Sequence, residues 1–540
     1  MLIDFKSILK FDKRKIIFTV IMGLAFAVCI VAGDTIYSEI YMQFAYMSVS
    51  EIVIWVLKKV MITIGTILLI WILLSLEISI KSVGRFDKIA IYIVGWLLMV
   101  LCYVPAIISF APGLLAYDTW WQTNQIYGYF WMTNHHPLLH TYIWKFFLEL
   151  GDYVHSIEIG ILGYSIFQVS VMCLIFTFFT YWIGKRLNNK TFQIVVYLWF
   201  ALNPTFHLLI IQSDKDVFFG GCMLLWSVFL IEAVEKKKIS IFLIISTMLC
   251  CAFRHNGFYA LLVVGIIFFF ICISGKKRRE KYGKVCISLF VGIIVYFVAL
   301  KFVLAYTGYQ DTTSREMVSV PCTQLASVYM EEVYFNPQGR IPDEDLELIK
   351  KYIPTADKYN KRLADFVKGW FEYGEFDKNP SEFIGLWLRC LVKYPERYIY
   401  SYAQLTIYYW CPNAIDFPDM YSGEDYIQSV RRDTWDEIYV ADWNCWEEGR
   451  KFYQVIGSFD NKIMRLPVIR FFFSLSFPLF LMVFVLGRLL YKKEYAQIVY
   501  MLFPILYMCT LLLGPVCNYR YIFPLLLLTP ILMGLIIKSK

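Results

Sequence analysis

Apolar runs of membrane-spanning length, separated by short polar breaks, dominate this chain from end to end. A helix needs about 17–25 mostly apolar residues to cross the hydrocarbon core. That pattern predicts about twelve transmembrane helices, at roughly 16–32, 60–76, 89–110, 158–183, 192–211, 217–234, 239–252, 257–274, 285–304, 469–487, 496–513 and 521–537, with the seventh the shortest. The expected fold is an all-α polytopic membrane protein. Three parts follow: an N-terminal bundle over 1–304 with a long first loop at 111–157, a polar segment over 305–468, and C-terminal helices over 469–540. The polar segment has helical spacing at Pro342–Tyr352 and Ala356–Phe371, so it predicts a mostly helical domain. No internal repeat or Gly-rich phosphate loop appears.

The breaks alternate in charge. Every second one is basic, beginning with Lys10, Lys13, Arg14 and Lys15 and continuing through Lys81, Arg85 and Lys88, then Lys185, Arg186 and Lys190. Lys236–Lys238, the 276–284 cluster, Arg488 with Lys492 and Lys493, and finally Lys538 and Lys540 complete the set. The intervening short gaps hold only Lys58, Lys59, Lys145, Lys215, Arg254 and Arg520. By the positive-inside rule the basic gaps and both termini are expected in the cytoplasm, and the 305–468 domain outside. The residues able to do chemistry then share the outer face.

Composition agrees with a membrane protein: 59% hydrophobic and 19% aromatic residues against 17% charged, where soluble domains are nearer a quarter charged. The net charge of +8 does not suggest nucleic acid, because its basic residues cluster at helix ends. Met1–Lys15 is mixed and charged, with no cleavable signal expected. The 14 cysteines show no zinc-site spacing. Cys322, Cys390, Cys411 and Cys445 fall in the polar segment, where pairing is left open.

The first long loop carries Asp118-Thr-Trp-Trp121-Gln122, then Asn134-His135-His136-Pro137 and His140. A carboxylate beside aromatics and an amide suits an interfacial sugar or lipid headgroup, although Asp118 could equally cap a helix. His135 and His136 could orient a phosphate or form a polar turn before Pro137. His136 and His140, four apart, could share a metal if helix begins there. Asp214, Lys215 and Asp216 pack three charges between two spans, costly unless they meet water, partners or substrate. Arg254-His-Asn256-Gly places a bidentate donor suited to phosphate between two spans, and Arg520 opens the last one. Snorkelling to headgroups is the plainer role for either arginine.

Pro112-Gly113 and Tyr117-Asp118-Thr119-Trp120-Trp121-Gln122, with Asn134-His135-His136-Pro137, Arg254-His255-Asn256-Gly257 and Asn518-Tyr519-Arg520-Tyr521, resemble poorly characterised bacterial members of the GT-C superfamily of membrane glycosyltransferases. That superfamily includes protein O-mannosyltransferases and aminoarabinose lipid A transferases. The resemblance implies a GT-C-like fold and a polyprenyl-phosphate-linked sugar as donor. The acceptor it implies is an envelope glycan, lipid or protein outside the membrane. It also implies Asp118 as general base or as contact for a divalent cation. Many relatives carry paired acids there, whereas Thr119 follows Asp118; Asp214 or Asp216 would have to supply a second acid in space. The rival readings are a transporter or lipid flippase, and a non-enzymatic assembly factor for envelope polymers.

Overall fold

The computed structural model describes residues 2–3, 8–9, 11–39, 46–311, 317–335, 337, 339–414, 443, 446–457 and 466–539. The chain is overwhelmingly helical and is a multi-pass membrane protein. Its first half runs α1 (Lys13–Tyr37), α2 (Val49–Ser75), α3 (Ile89–Ser109), α4 (Tyr117–Ile126), α5 (Leu138–Tyr153), α6 (Ile157–Leu187), α7 (Lys190–Leu202), α8 (Pro204–Ile210), α9 (Lys215–Lys236), α10 (Ile241–Phe253), α11 (His255–Ile273) and α12 (Lys276–Thr307). All twelve predicted apolar segments are helical, but the count of full spans is lower. Among the described residues eight helices are long and apolar enough to cross a membrane: α1, α2, α3, α6, α9, α11, α12 and Tyr519–Ile536. Two bent pairs bring the number to ten at most.

The bends have local causes. The α7–α8 pair turns by 53° at Asn203-Pro204. Asn203 is extended, as a residue before proline prefers, and its side chain accepts from Thr205 N (3.0 Å) to start α8. The pair Pro467–Phe473 and Phe477–Tyr491 turns by 89°, with a proline in the first turn of each helix. The 13-residue α10, at about 1.5 Å per residue, is too short to span alone. It stops at Arg254, whose extended backbone separates it from α11.

The most enclosed span is α9, packed against α6, α10 and the helix opening at Tyr519. Close approach there depends on Gly257, where a Cβ would meet the Phe219 ring at 2.7 Å and Cys250 O at 2.8 Å. Two very short strands position the first long loop: Leu114–Leu115 pairs in parallel with Gln212–Ser213, Leu115 opposite Ser213. Ser213 Oγ donates to Leu114 O (3.1 Å) and Thr119 Oγ1 donates to Ser213 O. Asp118 is thereby held beside residues 214–216. Gly113, at φ 155°, admits this path because any side chain there would strike Ser165 of α6.

The described residues of the 305–468 segment divide between two cores. The helices α13 (Ser319–Met330), α14 (Asp343–Tyr352), α15 (Asp365–Lys368), α16 (Tyr373–Lys378), α17 (Pro380–Lys393) and the start of α18 (Pro395–Trp410) enclose their own core, from Val318 to Tyr398. Later residues such as Ile407, Tyr409 and Tyr453 belong to the core of the bundle. The helix Glu447–Gly457 lies on α3 and α8, where Tyr453 Oη meets His207 Nδ1 (2.9 Å). Cys322, Cys390 and Cys411 are buried free thiols; Cys445 lies outside the described residues. Leu2–Ile3, Ile78–Ile80 and Lys538–Ser539 form one small sheet, so both ends of the described chain meet at one face. Two basic gaps also join, through Asn189 Nδ2 donating to Lys81 O (2.7 Å).

Candidate functional site

Four helices begin at one place: α4 at Tyr117, α9 at Lys215, α11 at His255 and the last span at Tyr519. Their N-terminal ends carry partial positive charge, which favours acids in their first turns. Asp118 does not cap α4. Ala116 holds that position without a side-chain bond, and the Asp118 carboxylate turns to cations instead. Lys215 Nζ bonds Asp118 Oδ2, and Arg520 Nη1 lies 3.0 Å from the same oxygen. Arg520 Nη2 donates to Asp118 Oδ1 (3.3 Å) and to Tyr521 Oη (2.9 Å). Asp214 caps α9 by accepting from Asp216 N (3.0 Å) and takes Arg520 Nη1 on its other oxygen (2.8 Å).

Asp216 is paired with Arg254. That guanidinium stacks over Tyr521, 4.6 Å from the ring centre, with Tyr507 beyond at 5.8 Å. Three acids and three cations from four segments thus form one neutral cluster. It divides into two layers. Asp216 and Arg254 side chains are 1% and 9% exposed and form the floor. Asp118, Lys215 and Arg520, at 12%, 12% and 16%, form the layer above.

His136 Nδ1 stands 3.4 Å from Lys215 Nζ and 3.9 Å from Asp118 Oδ2. Burial alone would raise the Asp118 carboxyl, but the adjacent Arg520 and Lys215 charges hold it well below the usual carboxylate range. Burial, with Lys215, His135 and Arg520 nearby, pushes the His136 imidazole down despite Asp118, so His136 is neutral. His135 is half-buried with its ring edge-on to His136 at 4.8 Å. His255 Nε2 bonds Asn134 O (2.8 Å), and Asn134 Nδ2 donates to Asp311 Oδ1 (3.1 Å). These bonds tie the His135–His136 turn to α11 and to the end of α12. Asn256 is half-buried in the first turn of α11. Trp121 is 36% exposed and packs on Phe130 at 4.6 Å, leaving an aromatic surface near the cluster.

Gln122 is placed differently from its neighbours. It is 1% exposed and bonds Thr141 Oγ1 (2.7 Å) and His140 Nδ1 (2.9 Å). His140 Nε2 meets Tyr164 Oη (2.8 Å), which donates to Gln168 Oε1 (2.6 Å); Gln168 Nε2 donates to Ile210 O and Gln212 O, each at 2.6 Å. This chain of bonds braces α4, α5 and α6 against the residues leading into Asp214. Both His140 nitrogens are thereby occupied, so the His136–His140 pair does not form a metal site. Nothing in the sequence motifs points to Tyr164, Gln168, Tyr507 or Asp311 as members of the site. The signal for two of them lies in helical spacing instead, because Tyr164 and Gln168 stand four apart on one face of an apolar helix, where polar groups are costly unless paired.

Among the described residues no group of three or more His, Cys, Asp or Glu is arranged to hold a metal. Asp118 faces an ammonium and a guanidinium where a divalent ion would need donors, so this donor set does not fit one.

Burial pushes His140 down to about 4, from an ordinary 6.5. Its unfolded form therefore binds a proton that the folded form refuses between those values. The stabilisation is complete above about pH 6.5 and is lost as the pH falls toward 4. We expect the unfolding temperature of the purified protein to fall with pH across that window, and His140→Gln to reduce that fall, with His136, which burial shifts the same way, and His255 carrying the rest. An unchanged profile in the variant would show that His140 is not responsible.

No curated protein matches the chain, and no solved structure does. Residues 128–539 match a family of unknown function. The stretch includes His136, Asp214, Lys215, Asp216, Arg254 and Arg520, while Asp118 lies just before it. The match extends over most of the sequence, and the chain belongs to the family of unknown function DUF6020.

Proposed function

We propose that the protein is a membrane glycosyltransferase of the GT-C kind, which moves a sugar from a polyprenyl-phosphate carrier to an envelope acceptor. The supporting observation is the convergence of Asp118, Lys215 and Arg520, from three distant segments, at the ends of the spans. The charge bias of the gaps supports an outer position for this end and cytoplasmic termini. The acceptor hydroxyl oxygen bonds to the anomeric carbon as the carbon–oxygen bond to the carrier phosphate breaks. Its proton passes to Asp118, and the leaving electron pair stays on the phosphate. Lys215 and Arg520 neutralise that phosphate, the kind of electrostatic help that is often the largest catalytic contribution. Arg254 and Asp216 brace the layer above them. Trp121, His135, His136 and Asn256 line the approach, and Gln122 holds the loop in place.

The test is to incubate membranes containing the protein with labelled polyprenyl-phosphate sugars. A covalent product made at the outer face supports the reading; its absence with every donor counts against it. A second reading, transport or lipid flipping, draws on the broken α7–α8 span that leads into the cluster, since discontinuous helices carry substrate sites in many transporters. Movement of label across sealed vesicles without a covalent product would favour it.

A further inference from the structure

A base already bonded to two cations is a poor base. Asp118 is in that position: Lys215 and Arg520 Nη1 share Oδ2, and Arg520 Nη2 reaches Oδ1. The groups facing it are Lys215 and Asp214 at the start of α9, Arg520 from the last span and His136 from the loop before α5, with the Asp216–Arg254 pair behind. His136 is neutral and Asp214 is committed to the α9 cap and to Arg520. Counted with Asp214, which is 1% exposed and holds Arg520 from below, the upper layer has two negative and two positive charges and is already balanced before a phosphate arrives. A phosphate bound here competes with Asp118 for Lys215 and Arg520. Arg520 can leave Asp118 without losing its anchor, because Nη1 also contacts Asp214.

We infer that the donor phosphate unmasks the base: by taking Lys215 and Arg520 from Asp118, binding of the carrier-linked sugar frees that carboxylate to accept the acceptor's proton. The inference deepens the transferase reading and rests on it. Its consequence is an order of events, with donor before productive acceptor, so that Asp118 is active only when a sugar is in place. Nothing covalent happens in the unmasking step; two ion pairs to a carboxylate are exchanged for two to a phosphate.

The test uses the full-length protein in nanodiscs and sugar-free polyprenyl phosphate. Infrared difference titration follows the protonated-carboxyl band of Asp118, assigned by its loss in Asp118→Asn. Removing an opposite charge at such distances moves a carboxyl by about 1–3 pH units. We expect the band to appear at higher pH by about that amount when polyprenyl phosphate is bound, and to do so without the lipid in Lys215→Gln. If the lipid binds and the band does not move, unmasking is wrong while the transferase reading stands. If the lipid does not bind at all, both are overturned.

Discussion

On the proposed transferase function, Asp118→Asn is expected to lower sugar transfer by about 10²–10⁴-fold, the usual contribution of a placed general base, in a protein that still inserts and folds. The substitution keeps the size of the side chain and its place in the first turn of α4, so positioning of the loop by the Leu114–Leu115 pairing is untouched. It removes the negative charge that Lys215 and Arg520 share, although Arg520 keeps Asp214 at 2.8 Å. A freed Lys215 and a partly freed Arg520 hold phosphate at least as well as before. The expected signature is thus a fall in kcat with donor affinity preserved or improved. Near-normal turnover would remove Asp118 from the chemistry.

The second large effect concerns stability. Asp216→Ala strands Arg254 beneath Tyr521 and Tyr507 in the most enclosed part of the cluster. Breaking a buried pair by deleting one partner costs about 3–5 kcal/mol, whereas replacing both by apolar residues of similar size is often neutral. We expect Asp216→Ala to lower the unfolding temperature sharply in detergent. The double variant Asp216→Leu with Arg254→Met should recover most of the loss and retain substantial transfer, because the account gives this pair a bracing role. A double variant that is stable yet inactive would instead put Arg254 on the substrate.

Much of this arrangement is legible in the chain. Each of the twelve apolar runs is helical, and the alternation of basic and chemically rich gaps groups Asp118, Lys215, Arg254 and Arg520 at the same ends of the helices. The number of true spans is less accessible, since hydropathy measures length along the chain and not direction. Asn203-Pro204 bends one segment by 53° and the prolines near 467–478 bend another by 89°; X-Pro steps were the available signal. Charge identity was readable but partnership was not. Nothing local says that Arg254 pairs with Asp216 while Arg520 is shared between Asp118 and Asp214, because those contacts join residues up to 402 positions apart. Gln122 shows the same limit from the other side. Its neighbour Trp121 faces outward, and one step around the helix turns Gln122 inward to His140.

The most direct test of the account is a cryo-EM structure with polyprenyl phosphate bound. The phosphate is expected within hydrogen-bonding distance of Lys215 and Arg520, with Asp118 released from both and facing the side on which a phosphate oxygen would carry the sugar. A phosphate bound at the basic ends of the helices, or one that leaves the Asp118–Lys215 pair intact, would contradict it.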